Sequence, residues 1–173
     1  MHKSELRSQL KLKRLNVSKA ERASLSKRIC TRLEQLKWTN VKLLHCYEPI
    51  LSLNEVDITS FVQVLQLKRP DIQIYTSRKV DSAWQIVSWE KHIAVTQLLQ
   101  FDAVIVPMLG FDTSLHRIGY GGGYYDTFLA SQPQASKIGV SYEIGKMATI
   151  PVENHDIPLD KIITESQVYL PVR

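Results

Sequence analysis

The chain of 173 residues contains only two cysteines and no long hydrophobic run. Cys30 and Cys46 match no zinc or CxxC spacing and lie in apolar surroundings, so we expect both to be reduced packing residues. No apolar stretch approaches the roughly 20 residues that cross a bilayer. The amino-terminal segment MHKSELRSQLKLKR lacks the apolar core of a secretory signal. These absences predict a cytoplasmic protein without a membrane partner; a transit peptide is the alternative, against which Glu5 argues.

Repeats, low-complexity tracts and linkers are also missing from the sequence, and its length suits one domain covering residues 1–173. Hydrophobic residues make up 44% and charged residues 23%, which is the composition of an ordinary globular protein. The net charge of +5 favours an anionic partner. Charge alone does not choose among nucleic acid, a nucleotide and a polycarboxylate substrate.

Helical patterns occur at the amino-terminal end of the chain and at two later places. The first helix is predicted from about Ser4 to Leu15. The capping pattern of Ser18 and Glu21 starts a second helix that reaches about Leu36. The remaining helical signals are a third helix capped by Asp57, with Ile58, Phe61, Val62 and Leu65 on one face, and a short helix carrying Tyr125, Phe128 and Leu129.

Strand-like segments alternate with these helices: VKLLHCYE, IQIYT, WQIVSW, FDAVIVP and KIGVSY. The alternation predicts an α/β fold, a single three-layer domain with a mostly parallel central sheet flanked by helices. The segment FDAVIVP is almost wholly apolar, as expected of a central strand that is covered on both faces. Because ligands of such sheets bind at the carboxyl ends of the strands, the glycine-rich segment after FDAVIVP is placed at the functional edge.

That segment, RIGYGGGYYD at residues 117–126, combines an arginine, several glycines and an aspartate. Glycines let a ligand approach the main chain, and a glycine-rich turn that enters a helix presents N–H groups to an anion. Arg117 can clamp a phosphate, and Asp126 can hold Mg²⁺ beside it. Together these features predict a nucleoside triphosphate site; the alternative is a tight turn in which Asp126 only caps a helix.

The same segment fits neither of two common nucleotide motifs. No Lys-Ser or Lys-Thr pair follows its last glycine, so it is not a Walker A loop. The residues VPMLGFDTSLH separate it from its strand, which argues against a dinucleotide-dependent oxidoreductase, where the turn follows the strand at once. A nucleic-acid-binding module is the other alternative, but the aromatic residues cluster in GYGGGYYD or lie in apolar strands instead of alternating with cations.

A second cationic element lies in the first predicted helix. Its members share a narrow arc of the helix and are Lys3, Arg7, Lys11 and Arg14. Leu6 and Leu10 flank this stripe, so the helix can pack while its cations point to one place. We expect Lys11 and Arg14 to be solvated. For Lys3 and Arg7 two interpretations remain, a solvated face and an anion-binding site.

Four segments together resemble the 5-formyltetrahydrofolate cyclo-ligase family, also called methenyltetrahydrofolate synthetases. KSELR resembles its K-x-x-L-R nucleotide motif, and VPMLGFDTSLHRIGYGGGYYDTFL resembles its longest signature. NEVDIT is similar to the segment on the folate side, and IPVENHDIPLDKIITE is similar to the closing segment. These matches fall in order over nearly the whole chain.

The resemblance implies a three-layer α/β ligase that depends on ATP and Mg²⁺. Its reaction converts 5-formyltetrahydrofolate, with or without a polyglutamate tail, to 5,10-methenyltetrahydrofolate and releases ADP and phosphate. Phosphorylation of the formyl oxygen would be followed by ring closure through N10. We expect a cytoplasmic monomer that binds no nucleic acid.

The resemblance also assigns roles to individual positions. Arg117 and Lys3 would be catalytic, and Asp126 and Asp156 would bind Mg²⁺. The residues implied to contact ATP are Lys3, Ser4, Glu5, Leu6, Arg7, Arg117, Ile118, Gly119, Tyr120, Gly121, Gly122, Gly123, Tyr124 and Tyr125. The residues implied to contact the folate are Glu55, Tyr120, Gly121, Gly122, Gly123 and Tyr124.

The chain departs from the commonest family pattern at three places. Tyr120 stands where many members have arginine, and Gly122 stands where some have lysine. Both changes remove a cation, so the affinity for the ligand is expected to differ although the reaction is not. The segment IYTSRKV lacks the proline that many members carry after this strand, so the local loop is expected to differ.

Four further residues have two interpretations each. For Trp84 and Trp89 we expect core packing, with pterin stacking as the alternative. For His116 and His155 the two interpretations are contact with phosphate and an exposed position in a loop.

Overall fold

The computed structural model describes residues 2–171, and none of the helices within them is long and apolar enough to cross a membrane. The helices are α1 (Lys3–Leu15), α2 (Lys19–Glu34), α3 (Thr59–Lys68) and α4 (Tyr124–Ala130). The strands are β1 (Leu43–His45), β2 (Gln73–Val80), β3 (Ala83–Ser88), β4 (Ala103–Pro107), β5 (Gly110–Phe111), β6 (Arg117–Ile118), β7 (Ser136–Val140), β8 (Lys161–Ile163) and β9 (Val168–Tyr169). Short 3₁₀ turns occur at Leu51–Leu53 and Glu143–Gly145.

Seven of these strands form one sheet in the order β3-β2-β1-β4-β7-β8-β9. The inner strands β2, β1, β4, β7 and β8 pair in parallel. The edge strands β3 and β9 pair antiparallel to their neighbours. The strands β5 and β6 form a separate antiparallel pair. The predicted α/β class with a mostly parallel central sheet is confirmed.

Strand β4 lies in the middle of the sheet, and both of its faces are buried. Ala103 and Ile105 join the apolar cluster that α2 and α3 cover. Val104 and Val106 join a second cluster on the other face, together with Leu129 of α4. Full burial of one such aliphatic side chain contributes about 1.5–3 kcal/mol, so helices on both faces of the sheet stabilise the three-layer arrangement.

Helix α1 packs outside these layers, beside the β5–β6 pair. Its Leu6 and Leu10 are each 3% exposed and lie in a third cluster with Leu109, Ile118 and Ile150. The predicted packing of this helix is therefore confirmed. Its docking turns the cationic stripe toward the glycine-rich segment that follows β6.

The boundaries of the elements differ from prediction in several places. Ser18 caps α2 as expected, with its Oγ accepting from the backbone N–H of Glu21 at 3.2 Å. The N-cap of α3 is Ile58, so the prediction of Asp57 was wrong by one position. The Asp57 carboxylate still accepts from the N–H of Thr59 at 3.0 Å. The strands β5, β6, β8 and β9 have two or three residues each, too few for a period-two pattern to predict them.

The connections leave the centre of the sheet in opposite directions. The chain passes from β1 to β2 on one side of the sheet, and from β4 toward β7 on the other side. The carboxyl ends of β1 and β4 therefore border a crevice at the point where the strand order reverses. In open α/β sheets, ligands bind at such a point.

Candidate functional site

A cavity of about 550 Å³ opens at this crevice. Tyr47 and Glu48, which follow β1, and Pro107, the last residue of β4, form part of its wall. The glycine-rich segment and the first turn of α1 complete it. Its volume lies in the range of about 300–1,000 Å³ that is typical of small-molecule sites.

Most of the sequence-predicted site residues lie on this cavity. Those on its wall are Lys3, Arg7, Glu55, Arg117, Gly119, Tyr120, Gly121, Gly122, Gly123, Tyr124, Tyr125, Asp126 and Asp156. Ser4, Glu5, Leu6 and Ile118 are absent from the wall as it is formed by the described residues. Leu6 and Ile118 are buried in the cluster beneath α1, and Ser4 and Glu5 are exposed.

Sequence reasoning did not find several wall residues, among them Tyr47, Glu48, Ser77 and Glu153. The signal for Tyr47 and Glu48 was their position at the carboxyl end of the predicted strand VKLLHCYE, where the rule on ligand binding at strand ends applies. Ser77 and Glu153 carried no comparable signal, because their approach to the cavity depends on tertiary packing.

The glycine-rich segment needs glycine at two positions for its backbone conformation. Gly121 has φ of 97° and Gly123 has φ of 68°, both in the left-handed region that disfavours other residues. A Cβ at Gly121 would also lie 3.3 Å from the guanidinium carbon of Arg7. Arg7 Nε donates to the carbonyl of Gly119 at 3.2 Å. Because Gly121 has no side chain, the guanidinium of Arg7 can lie directly against the loop.

Arg117 lies deep in the wall, with a side chain that is only 5% exposed. Its Nη2 donates to Oδ1 of Asp126, and its Nη1 donates to the carbonyl of Ile157, the residue after Asp156. Burial lowers the pKa of Arg117, and the charges of Asp126 and Asp156 oppose that effect. An arginine keeps its charge at neutral pH under such conditions. The guanidinium therefore joins the carboxylate of Asp126 to the main chain beside Asp156.

Lys3 approaches the same region from α1. Its Nζ lies 2.6 Å from Oδ2 of Asp156 and 3.0 Å from Oε2 of Glu153. Burial acts against the charged form of Lys3, but hydrogen bonds to Asp156 and Glu153 outweigh it and raise its pKa. Burial likewise opposes ionisation of Asp156, but the hydrogen bond from Lys3 outweighs it and lowers the pKa of Asp156.

This ion pair should stabilise the protein only within a window of pH. The pKa of Asp156 is lowered from 3.8, so its contribution is present above that pH and is lost as the pH falls through the folded-state value. The pKa of Lys3 is raised from 10.5, so its contribution is present below that pH and is lost as the pH rises through the folded-state value. We expect Asp156→Asn to lower the free energy of unfolding by about 1 kcal/mol at pH 7.

Urea unfolding of both proteins at pH 7 and pH 3 measures this dependence. The difference between wild type and Asp156→Asn should shrink at pH 3, because the carboxylate is protonated in the unfolded chain below pH 3.8 and part of the contribution of its lowered folded-state pKa is then lost. A difference that is the same at both pH values would contradict the ion pair.

Glu55 also lies on the cavity wall and is 3% exposed. Its Oε2 accepts from the N–H of Ile50 at 2.7 Å. The hydroxyl of Tyr47 donates to the carbonyl of Val56 at 2.6 Å, which anchors the segment after Glu55. Burial, followed by the nearby charge of Glu55, raises the pKa of Tyr120. This part of the cavity thus offers a buried carboxylate beside a neutral phenol.

Arg14 does not behave as the sequence suggested. It was expected to be solvated, yet it is 5% exposed. Its guanidinium donates to the carbonyl of Met108 at 3.2 Å and also to the hydroxyl of Tyr120. The guanidinium carbon lies 5.3 Å from the centre of the Tyr120 ring. A cation from α1 therefore lies directly against Tyr120.

Aromatic rings form another side of the cavity. Trp84 lies on the wall with its ring 4.3 Å from that of Tyr124, and it is 51% exposed. The expectation of core packing for Trp84 was therefore wrong. Trp89 packs against the main core as expected.

The two undecided histidines differ in position. Nδ1 of His116 lies 3.2 Å from Oδ2 of Asp112. His155 lies on the cavity wall, 3.3 Å from Glu153. Only His155 is therefore among the described residues that border the cavity.

Comparisons with known proteins identify the family of this chain. The sequence model of the 5-formyltetrahydrofolate cyclo-ligase family matches residues 61–165. A 5-formyltetrahydrofolate cyclo-ligase of Mycoplasma pneumoniae is 30% identical over 172 residues, covering 95% of this chain and 99% of the relative.

Solved structures give the same result. A 5,10-methenyltetrahydrofolate synthetase from Mycoplasma pneumoniae matches with a TM-score of 0.81 and 28% identity, covering 95% of this chain and 99% of that chain. The NMR structure of the Aquifex aeolicus 5,10-methenyltetrahydrofolate synthetase matches with a TM-score of 0.77 and 28% identity, covering 98% and 93%. The resemblance drawn from the motifs is confirmed, and the chain belongs to the 5-formyltetrahydrofolate cyclo-ligase family.

Proposed function

We propose that this chain converts 5-formyltetrahydrofolate to 5,10-methenyltetrahydrofolate with ATP and Mg²⁺, releasing ADP and phosphate. The names of its relatives support this reaction. The observation that carries the proposal is that Lys3, Arg7 and Arg117 share one cavity with Glu55 and Tyr124. One cavity thus offers cations for a polyphosphate together with a carboxylate and aromatic groups for a pterin.

The ATP phosphates would bind between α1 and the glycine-rich segment. Lys3 and Arg7 come from one side of this gap and Arg117 from the other. Charge-assisted hydrogen bonds from these cations are the strong contacts that a triphosphate makes. Gly119 to Gly123 would let the phosphates approach the main chain.

The carboxylates of Asp126 and Asp156 suit Mg²⁺. Each has one oxygen, Oδ2 of Asp126 and Oδ1 of Asp156, that makes no hydrogen bond to another residue in the described part of the chain. Mg²⁺ prefers oxygen ligands and binds through one or two carboxylates together with water and phosphate oxygens. When bound, the ion would neutralise charge on the transferring phosphoryl group.

The folate would occupy the other part of the cavity. The buried carboxylate of Glu55 is suited to accept hydrogen bonds from pterin N–H groups. Tyr120 and Tyr124 would face the folate, and the exposed ring of Trp84 extends the same wall. A flat pterin can stack on such rings.

The chemistry needs charge and position more than a nucleophilic side chain. A formamide oxygen is a poor leaving group, and phosphoryl transfer from ATP to that oxygen produces an iminium phosphate. N10 of the same folate then attacks the activated carbon and loses its proton, and the phosphate leaves with the former formyl oxygen. Arg117 and Lys3 would stabilise the charge of the transferring group, and the cavity walls would align the two substrates.

We place this enzyme in the cytoplasm as a monomer that acts on folate with or without a polyglutamate tail. The loss of cations at Tyr120 and Gly122 is expected to change the affinity for ligands rather than the reaction. Arg14, which donates to Tyr120, would offset part of that loss.

Absorbance in the band of the methenyl chromophore tests the proposal. Purified protein should produce this band from 5-formyltetrahydrofolate only when ATP and Mg²⁺ are both present. Addition of EDTA should stop the reaction, and excess Mg²⁺ should restore it. Formation of the band at the same rate without ATP, or its absence under all conditions, would contradict the proposed function.

A further inference from the structure

A buried histidine lies behind the aromatic side of the cavity. His45 is the last residue of β1 and is 0% exposed. Its ring lies among those of Phe101, Tyr125 and Phe128, the last at 4.6 Å between ring centres. Its Nε2 lies 2.7 Å from Oγ of Ser77, whereas its Nδ1 has no partner among the described residues.

Ser77 connects this histidine to the cavity. It lies on β2, next to β1, and its Oγ also forms a hydrogen bond with the hydroxyl of Tyr124. Ser77 and Tyr124 both belong to the cavity wall. We call His45, Ser77 and Tyr124 the hydroxyl relay, since hydrogen bonds run through them from the protein interior to the ligand space.

The direction of the hydrogen bonds in the hydroxyl relay follows from the burial of its inner end. Burial lowers the pKa of His45 to about 3, so at neutral pH the ring carries one proton. A proton on Nδ1 would leave a buried N–H without a partner, which is rare in folded proteins. A proton on Nε2 instead donates to Ser77 Oγ, and Ser77 then donates to the oxygen of Tyr124. The proton of Tyr124 is left to point toward the cavity.

We propose that His45 and Ser77 are positioning residues that hold Tyr124 as a hydrogen-bond donor to an acceptor oxygen of the folate. This inference deepens the proposed function and rests on it for the identity of the ligand. Tyr124 alone would touch the substrate, while His45 and Ser77 act through it. An oriented donor is worth more than a free one because its rotational freedom is already lost before binding.

A nucleophilic role for Ser77 fits the geometry less well. A serine activated by histidine needs a third group that orients the far nitrogen of the ring. Nδ1 of His45 has no such group among the described residues, and apolar rings surround it. The proposed reaction also requires no covalent enzyme intermediate.

Removal of the Ser77 hydroxyl should weaken folate use without affecting ATP use. We expect Ser77→Ala to lower kcat/KM for 5-formyltetrahydrofolate by about tenfold, the loss typical of one oriented hydrogen bond, while the KM for ATP stays within twofold. Ser77→Thr keeps the hydroxyl and should restore most of kcat/KM. Ser88 lies on the neighbouring strand β3, and its hydroxyl accepts from the N–H of Ile93. Ser88→Ala is the matched control and should remain within twofold of wild type.

A double-mutant cycle separates the relay from simple packing. In a Tyr124→Phe background, Ser77→Ala and His45→Gln should each have little further effect on kcat/KM, because the group that they orient is gone. Full additivity of the losses would overturn the relay. His45→Gln retains an N–H donor and should cost less than His45→Phe in the presence of Tyr124.

The donor direction is tested by replacing Tyr124 with 3-fluorotyrosine. Its hydroxyl is more acidic, which makes it a stronger donor and a weaker acceptor. Calorimetric titration with 5-formyltetrahydrofolate in the absence of ATP should show tighter binding than by the wild type. Weaker binding would mean that Tyr124 accepts a hydrogen bond, which contradicts the assigned direction.

These outcomes differ from failure of the proposed function. If wild type forms no methenyl product with ATP and Mg²⁺, the catalytic proposal fails. If wild type forms it and Ser77→Ala binds and converts 5-formyltetrahydrofolate as well as wild type does, only the hydroxyl relay is overturned.

Discussion

Replacement of Arg117 by alanine should lower kcat by about a thousandfold, as expected for loss of a cation that stabilises a transferring phosphoryl group. Arg117 is 5% exposed and lies between Asp126 and the residue that follows Asp156. Its removal would therefore withdraw a positive charge from beside Asp126 and from the segment that follows Asp156. Steady-state kinetics of methenyl formation measures the loss.

The control for this variant is an arginine with similar contacts and another location. Arg32 donates to the backbone carbonyls of Glu165 and Ser166 and lies away from the cavity wall formed by the described residues. Arg32→Ala should lower the melting temperature without lowering kcat by more than about twofold. A folded Arg117→Ala protein with near-normal turnover would remove Arg117 from the catalytic machinery.

The second large effect is expected at the amino-terminal helix. A Lys3→Met, Arg7→Met double variant should raise the KM for ATP by about a hundredfold, because two charge-assisted contacts to phosphate are lost. These substitutions test the role better than deletion of residues 1–7. Deletion would also remove Leu6, which is 3% exposed and whose burial contributes about 1.5–3 kcal/mol.

Salt dependence provides a second measurement on the same samples. ATP binding by the double variant should weaken less with added salt, since fewer charge pairs remain to be screened. Lys13→Met, an exposed residue in the last turn of α1, is the matched control and should leave the KM for ATP unchanged. An unchanged KM for ATP in the double variant, with a lowered melting temperature, would mean that Lys3 and Arg7 only hold α1 in place.

Local patterns predicted the centre of the molecule well. Successive side chains of a strand point to opposite faces of the sheet. The unbroken apolar run at β4 therefore indicated a strand that is buried on both faces. Leu6 and Leu10 predicted the docking of α1 through their helical spacing. The glycine-rich segment was placed at the functional edge from chain order alone, and its residues line the cavity.

Features that depend on long-range packing could not be predicted in this way. Arg14 belongs to the cationic stripe by spacing, yet its burial depends on Tyr120, which lies more than 100 positions away. The contact between Ser77 and Tyr124 joins β2 to α4 and has no local signature. Trp84 looks like a core residue by type, but the edge position of β3 leaves it exposed.

The proposed reaction requires that the cavity bring the phosphoryl group of ATP to the formyl oxygen of the folate. This step is tested with 5-formyltetrahydrofolate labelled with ¹⁸O at the formyl oxygen, followed by mass spectrometry of the inorganic phosphate after a single turnover. Each phosphate released should carry the labelled oxygen, since the bond between carbon and the former formyl oxygen breaks when the phosphate leaves. Unlabelled phosphate, with the ¹⁸O recovered in water, would contradict phosphorylation of the formyl oxygen.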